Sequence, residues 1–346
     1  MSTANDVLPI LDVAGDGRAR GLAYGAHYGE RVRRTWRYYA ETVFATSKLS
    51  SAEIERRTAK VRELIGAFSP DLRDEIDAIA EGAGLPRWTM HALNARTEIL
   101  NARVGECTAL YVPATRTLGQ TWDWLAPLED LIVLTRCTYP DGHRLLTMAE
   151  PGQLAKVGMN SAGLGVCLNF LVAPHGLEGV PVHVLLRALL ECTSLAAARR
   201  LLDAAGLGKS SHFLLADDQG QALSFEFAGT RKGEVPAVEG GYVHTNHCIA
   251  PDRDPDGYEI DTSPERLAAA RALLADAPRA DVDGVKRLLD FNDGGKASIR
   301  VTYRPEPMMG GGLIGSCATV VMDLPGRSMH VRKGPDPARA FARHAV

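Results

Sequence analysis

Apolar residues recur at two different spacings along this chain, and the change falls at one place. Before it the spacing is helical. In the stretch SAEIERRTAKVRELIGAF, Ile54, Val61, Leu64, Ile65 and Phe68 sit on one face of an α-helix. Ser51 or its neighbour supplies the cap. The residues from about Gly17 to Thr46 contain few helix breakers and many Arg and Glu, and also read as helix. Ser69-Pro70-Asp71 restarts a helix with a cap, a proline at the first position and an acid in the first turn. Gly82 and Gly84 end it. Pro86 opens a further helix running to about Asn101, and a short apolar run at Val7 to Val13 precedes them all.

At Cys107 the texture becomes that of strands. CTALYVP, LGQTWDW, DLIVLTRCTY, HRLLTMAE, LAKVGMN and GLGVCLNFL are short runs rich in Val, Leu, Thr and aromatics, punctuated by Gly, Pro or Asp. Helices return at Val180 to Cys192 and Ser194 to Ala205. SHFLLADD, QALSFEFAG and YVHTN form a second set of strands. Ser263 to Ala275 and Asp281 to Asp290 read as helices, and ASIRVTY, CATVVMDL and RSMHVRKG as a last strand set. Blocks of hairpins separated by helix pairs predict an α+β layered fold rather than alternating βαβ units.

Composition narrows the class. With 346 residues, 45% of them hydrophobic and 23% charged, the chain is globular, which sets aside collagen-like, disordered and coiled-coil readings. Lys plus Arg number 39 against 42 for Asp plus Glu, so net charge offers no case for a nucleic-acid partner. Many glycines, 34 in all, predict tight turns and small-residue contacts. The six cysteines are scattered without a C-x-x-C pair. MSTANDVLPILDV has neither the basic nor the apolar region of a secretory leader. No apolar run reaches membrane-spanning length, so the expectation is a soluble, cytoplasmic protein with free thiols and no membrane partner.

Several local patterns carry possible chemistry. Asp252, Asp254, Asp256 and Gly257 fit the opening half of a calcium loop, but its last position would need Glu and is Ser263. His244, His247 and Cys248 could hint at zinc, yet positions 244 and 247 of a strand face opposite ways and no fourth ligand is evident. Gly310-Gly311-Gly312 lacks the Lys and Ser or Thr of a P-loop. No cofactor or metal is expected. Arg31, Arg33, Arg34 and Arg37 form a basic helix face, read as solvated, with an anionic substrate group such as a coenzyme A phosphate as the sharper alternative.

The most informative junction is Val104-Gly105-Glu106-Cys107-Thr108, where helix gives way to strand. Cys107 alone would be a small core residue. It is followed by Gly119-Gln120-Thr121-Trp122-Asp123-Trp124, by Gly158-Met159-Asn160-Ser161-Ala162-Gly163-Leu164, by Cys167-Leu168-Asn169-Phe170, by His244-Thr245-Asn246-His247 and by Ser298-Ile299-Arg300. In that order these motifs resemble the acyl-coenzyme A:6-aminopenicillanic acid acyltransferase family, also called the C45 peptidase family. That family is similar to choloylglycine hydrolases and penicillin V acylase. The resemblance runs from about Arg96-Thr97-Glu98 to the C-terminus.

It implies an N-terminal-nucleophile hydrolase with a four-layer αββα sandwich. Residues 1–106 would be a helical pro-segment that stays associated as a partner chain, and residues 107–346 the catalytic part, together one folding unit. Self-cleavage would fall between Glu106 and Cys107. The freed α-amino group of Cys107, near pKa 7.7–8.0, would then serve as base. By the same resemblance Asp123 holds the ammonium and thiol, Asn246 donates to the oxyanion, and Asn169 lies near that hole, its backbone N–H weighing more than its side chain. Arg300 would lie near substrate or nucleophile. Glu106 departs from the pattern, where Gly is common and reaches strained conformations cheaply. The implied activity is amide hydrolysis or acyl transfer through a thioester, on a small N-acyl amide or an acyl thioester such as a coenzyme A thioester. An uncleaved relative that only binds a ligand, and a small-amide hydrolase working without cleavage, are the alternatives.

Overall fold

Local sequence rules account for most helix ends. The structure, a computed structural model, describes residues 8–46, 48–100, 106–172, 179–206, 210–228, 231–251, 260–307 and 310–346. The junction residues Val104 and Gly105 and the acidic loop at 252–257 lie outside the described residues. Strand β1 (Ile10–Ala14) leads into helix α1 (Gly17–Tyr38), whose first turn is capped by the Asp16 carboxylate. A π-helical turn (Tyr39–Val43) joins it to short α2 (Phe44–Thr46). Ser50 caps α3 (Ser51–Phe68) and Ser69 caps α4 (Pro70–Ala83), which stops at left-handed Gly84. Helices α5 (Arg87–Asn94) and α6 (Arg96–Leu100) complete the first third.

The strand region then begins with β2 (Glu106–Val112) and β3 (Thr117–Leu125), followed by β4 (Val133–Thr138), β5 (Arg144–Ala149), β6 (Val157–Asn160) and β7 (Gly165–Phe170). Helices α7 (Val182–Glu191) and α8 (Leu195–Ala204) precede β8 (Ser211–Ala216), β9 (Ala222–Ala228), β10 (Arg231–Glu234) and β11 (Tyr242–His244). Helices α9 (Ser263–Asp276) and α10 (Val282–Leu289) precede β12 (Arg304–Glu306), β13 (Gly312–Asp323), β14 (Ser328–Lys333) and β15 (Ala342–Ala345).

Two sheets stack face to face. The first runs β1-β4-β5-β6-β7-β8-β9-β10 and the second β11-β2-β3-β13-β14-β15, with β12 also paired to β13. In β2 the side chains alternate between two cores, as a period of two demands. Ala109 and Tyr111 belong to the larger core between the sheets, whereas Leu110 and Val112 pack with α9 and α10 on the outer face. The other outer layer is helical too. Helix α7 packs on β6 and β7, α8 on β9, and α1, α4 and α5 extend that layer. The result is the expected four-layer αββα sandwich. No helix among the described residues is long and apolar enough to cross a membrane.

The high glycine content serves helix packing as well as turns. A Cβ on Gly21 would lie 2.3 Å from the Glu75 carbonyl oxygen, and one on Gly25 2.4 Å from that of Ile79. Glycine at these positions lets α1 and α4 touch backbone to backbone. Between them lies a buried ion network. Arg20 of α1 and Arg187 of α7 both bond the Glu75 carboxylate of α4, linking residues before Cys107 to residues after it.

Two expectations are corrected. The segment before Cys107 is not wholly helical, because Ile10–Ala14 pairs in parallel with β4 as an edge strand of the first sheet. ASIRVTY is not a strand. The N–H groups of Ile299 and Arg300 both bond the Phe291 carbonyl at the end of α10, which turns the segment off the sheet. Only Arg304–Glu306 beyond it joins β13.

Candidate active site

Register brings the candidate residues together. Strand β11 pairs with β2 antiparallel, Tyr242 opposite Tyr111 and His244 opposite Ala109, and stops there. Two further steps in the same register would set Asn246 against Cys107. The ladder is replaced at that point by side chains. The Asn246 Oδ1 accepts the backbone N–H of Cys107 at 2.8 Å. The Cys107 carbonyl accepts from Asn169 Nδ2 at 3.0 Å and from the Arg266 guanidinium at 2.9 Å. Both backbone groups of one residue are therefore held by side chains from β7, α9 and the turn after β11.

Asn246 is further fixed. Its Oδ1 also accepts from Arg266 at 2.8 Å, and its Nδ2 donates to the Phe170 carbonyl. The amide thus holds the Cys107 nitrogen with its oxygen, while its donor is engaged with Phe170. Asn169 is oriented from behind by His212, whose Nδ1 lies 2.9 Å from Asn169 Oδ1. His212 stacks on His244 at 3.5 Å, and His244 bonds Glu226. Burial, with His244 beside it, holds His212 well below the usual histidine range, so it acts as a neutral prop. His247 instead faces Ser263. Among the described residues no group of three or more His, Cys, Asp or Glu side chains could hold a metal ion.

Cys107 sits across from Trp122 in β3, and Asp123 follows it. Ser316 donates to Asp123 Oδ1 at 2.6 Å from beside a bulge in β13, where the register shifts between Ser316 and Ala318. Burial and then the Asp123 charge push the Cys107 thiol up to about 11; the Asp123 N–H and the charges of Lys156 and Arg266 pull the other way. In this continuous chain the thiol is protonated at neutral pH and needs a base.

The thiol opens on a pocket between the sheets with largely apolar walls, including Leu100, Trp122, Leu168 and Phe170. Arg96 and Lys156 bring charge to its lining, both paired with buried Glu150. Burial alone would raise the Glu150 carboxyl, but these two cations hold it below its ordinary value.

Of the residues singled out in the sequence, Cys107, Asp123, Asn169 and Asn246 meet here. Arg300 does not join them. Its guanidinium bonds the Pro335 carbonyl and pairs with Asp290 beyond the end of α10. Arg31 bonds the Asp130 carbonyl and Arg33 pairs with Glu30, while Arg34 and Arg37 line a surface groove, away from Cys107. Arg266, Lys156, His183 and His212 carry no motif in the sequence. Arg266 lies near the start of a helix with no marked apolar face, and only the placement of α9 beside β2 reveals it.

Comparison with known proteins bears on family and fold. A family model described as acyl-coenzyme A:6-aminopenicillanic acid acyl-transferase matches residues 112–306. The 40 kDa form of acyl-coenzyme A:6-aminopenicillanic-acid-acyltransferase from Emericella nidulans is 30% identical over 331 residues, 90% of this chain and 89% of its own. A mutant of the conjugated bile acid hydrolase from Clostridium perfringens aligns with a TM-score of 0.50 and 14% identity, over 70% of this chain and 92% of its own. A second variant of that hydrolase gives 0.50 at 12% identity, over 69% and 92%. At such identities the two solved structures speak to the fold alone.

Proposed function

The chain belongs to the acyl-coenzyme A:6-aminopenicillanic acid acyl-transferase family, and from that premise we propose that it is a self-processing amide hydrolase or acyltransferase whose nucleophile is Cys107. The observation that carries this reading is the grip on Cys107. Its N–H is bound by Asn246 and its carbonyl by Asn169 and Arg266, which orients the thiol toward the pocket. A structural cysteine in a strand needs no such apparatus, since ladder bonds to a neighbouring strand would satisfy it.

In self-processing, Cys107 Sγ attacks the carbonyl carbon of Glu106. The C–N bond breaks, the thiol proton ends on the departing nitrogen, and a thioester joins residue 106 to Sγ. Water then cleaves the thioester, leaving the Glu106 carboxylate and Cys107 as a chain terminus. Asn246 Oδ1 holds the nitrogen before and after. The new α-amine, near pKa 7.7–8.0, takes the thiol proton in later turnovers. Asp123, whose charge already acts on the thiol, steadies the ammonium. A small N-acyl amide or acyl thioester, a coenzyme A thioester included, then acylates Sγ in the apolar pocket. Water as acceptor completes hydrolysis, and an amine completes transfer.

Residues 1–106 stay attached after cleavage in this reading, held by β1 in the first sheet and by the Arg20–Glu75–Arg187 network. Intact mass before and after incubation with an acyl donor tests the proposal. The expected result is two chains, residues 1–106 and 107–346, with the acyl mass on the second. A single 37.2 kDa species that stays unacylated after long incubation overturns it. Cys107→Ala is expected to abolish both cleavage and acylation, and full activity in that variant would equally refute the assignment.

A further inference from the structure

Two polar side chains in the pocket lining have no part in the chemistry above. His183 of α7 is 1% exposed and lines the pocket together with Lys156. Its Nδ1 lies 3.0 Å from the Ala155 carbonyl oxygen. A carbonyl only accepts, so Nδ1 carries the proton and Nε2 presents a lone pair. Burial, followed by the positive charges of Lys156 and Arg96, holds the ring well below the usual histidine range and keeps it neutral. Among the described residues nothing donates to His183 Nε2. Buried acceptors are normally satisfied, and an unsatisfied one lining a ligand pocket points to the ligand.

Lys156 supplies the complement. Its ammonium reaches the Glu150 carboxylate at 3.4 Å and lies 4.5 Å from the centre of the Trp122 ring, which leaves donor capacity for the pocket. Gln120 and Ser211, also in the lining, are engaged elsewhere. Gln120 bonds both the N–H and the carbonyl of Leu168, and the Ser211 hydroxyl donates to the Ser210 carbonyl.

We propose that the pocket selects an acyl group bearing a hydroxyl, whose oxygen accepts from Lys156 Nζ and whose hydrogen is donated to His183 Nε2. The choice follows by elimination. A carboxylate would suit Lys156 but set a second lone pair against Nε2. An ammonium would suit Nε2 but meet the charges of Lys156 and Arg96. A plain alkyl chain answers neither group. A hydroxyl both accepts and donates, and the apolar walls take the rest of the chain. This selectivity rests on the acyl-thioester reading of Cys107.

The test compares hexanoyl p-nitroanilide with its monohydroxy isomers and with the ω-carboxy and ω-amino analogues. In the wild type the best hydroxy isomer is expected to exceed the unsubstituted compound in kcat/KM by about tenfold to a hundredfold, the worth of one charge-assisted hydrogen bond. In His183→Phe, which keeps a ring but loses the acceptor, that ratio is expected to fall to about one. If no hydroxy isomer outpaces the unsubstituted compound in the wild type, or if a charged analogue outpaces them all, the inference is overturned without recourse to the variant. A folded His183→Phe that keeps the full ratio overturns the role of His183. Intact mass separates the two levels: acylation of Cys107 without hydroxyl preference sinks the selectivity alone, whereas no acylation by any compound sinks the nucleophile as well.

Discussion

Replacing Arg266 by methionine probes the positioning of Cys107 without touching the thiol. The guanidinium is fully buried and donates to the Cys107 carbonyl, Thr108 Oγ1, Asn246 Oδ1 and Thr262 Oγ1. Two of them bear on the scissile region. Bonds from a charged donor are worth about 1.5–3 kcal/mol each. Neither acceptor would be stranded, because the Cys107 carbonyl keeps Asn169 and Asn246 Oδ1 keeps the Cys107 N–H. The low end of the range therefore applies, about 3 kcal/mol for the pair, and self-cleavage should slow by about a hundredfold. Methionine fills similar volume without a charge, so the fold should lose far less than if one partner of a buried ion pair were removed. The assay is a time course of fragment appearance on a denaturing gel, run beside thermal melts of the same samples. Arg266→Lys keeps the charge but cannot reach both acceptors at once, and should recover part of the rate. Loss of the buried cation should also displace the pH–rate profile to higher pH, since Arg266 draws the Cys107 thiol downward. A folded Arg266→Met variant that cleaves at the wild-type rate refutes the positioning role. A rate loss that merely tracks melting temperature, with no gain from lysine, refutes it equally.

Two further predictions concern stability and pH. Glu75→Gln leaves Arg20 and Arg187 buried against a neutral amide, and should cost about 3–5 kcal/mol by chemical denaturation; a cost under about 1 kcal/mol would show that the network is not as desolvated as described. In the uncleaved chain the thiol of Cys107 is pushed up to about 11, so its alkylation rate should still be climbing at pH 10, whereas Cys107 freed as a chain terminus should level off earlier. Peptide mapping separates the internal from the terminal Cys107 peptide in one sample, and a plateau of the internal form below about pH 9 would contradict the burial argument.

Much of this molecule is written in local spacing. Helical periodicity around Ile54 and Ile65, Ser69-Pro70 at a helix start and Gly84 at its end are decided within a few residues, and the structure has them where local rules put them. The change of texture at Cys107 marks the first strand of the second sheet. ASIRVTY shows where such reasoning fails: β-branched residues favour a strand, but a strand needs a partner, and bonds to Phe291 draw this segment away from one.

The site divides along the same line. Cys107, Asp123, Asn169 and Asn246 were legible because their order along strands resembles a known family. Arg300 was legible in the same way, yet it lies with Asp290 and Pro335, since its position depends on how the chain leaves α10. Arg266, His212, Lys156 and His183 have no signal of their own. Each comes from a helix, strand or loop whose local pattern is ordinary, and Arg266 and His212 acquire their partners, 159 and 43 residues away, only when sheets stack and helices dock. Sequence by itself determined most of the elements and the order of the candidate residues along them. Tertiary structure decided which side chains meet at Cys107, because those meetings depend on strand register and layer packing rather than on any neighbour in the chain.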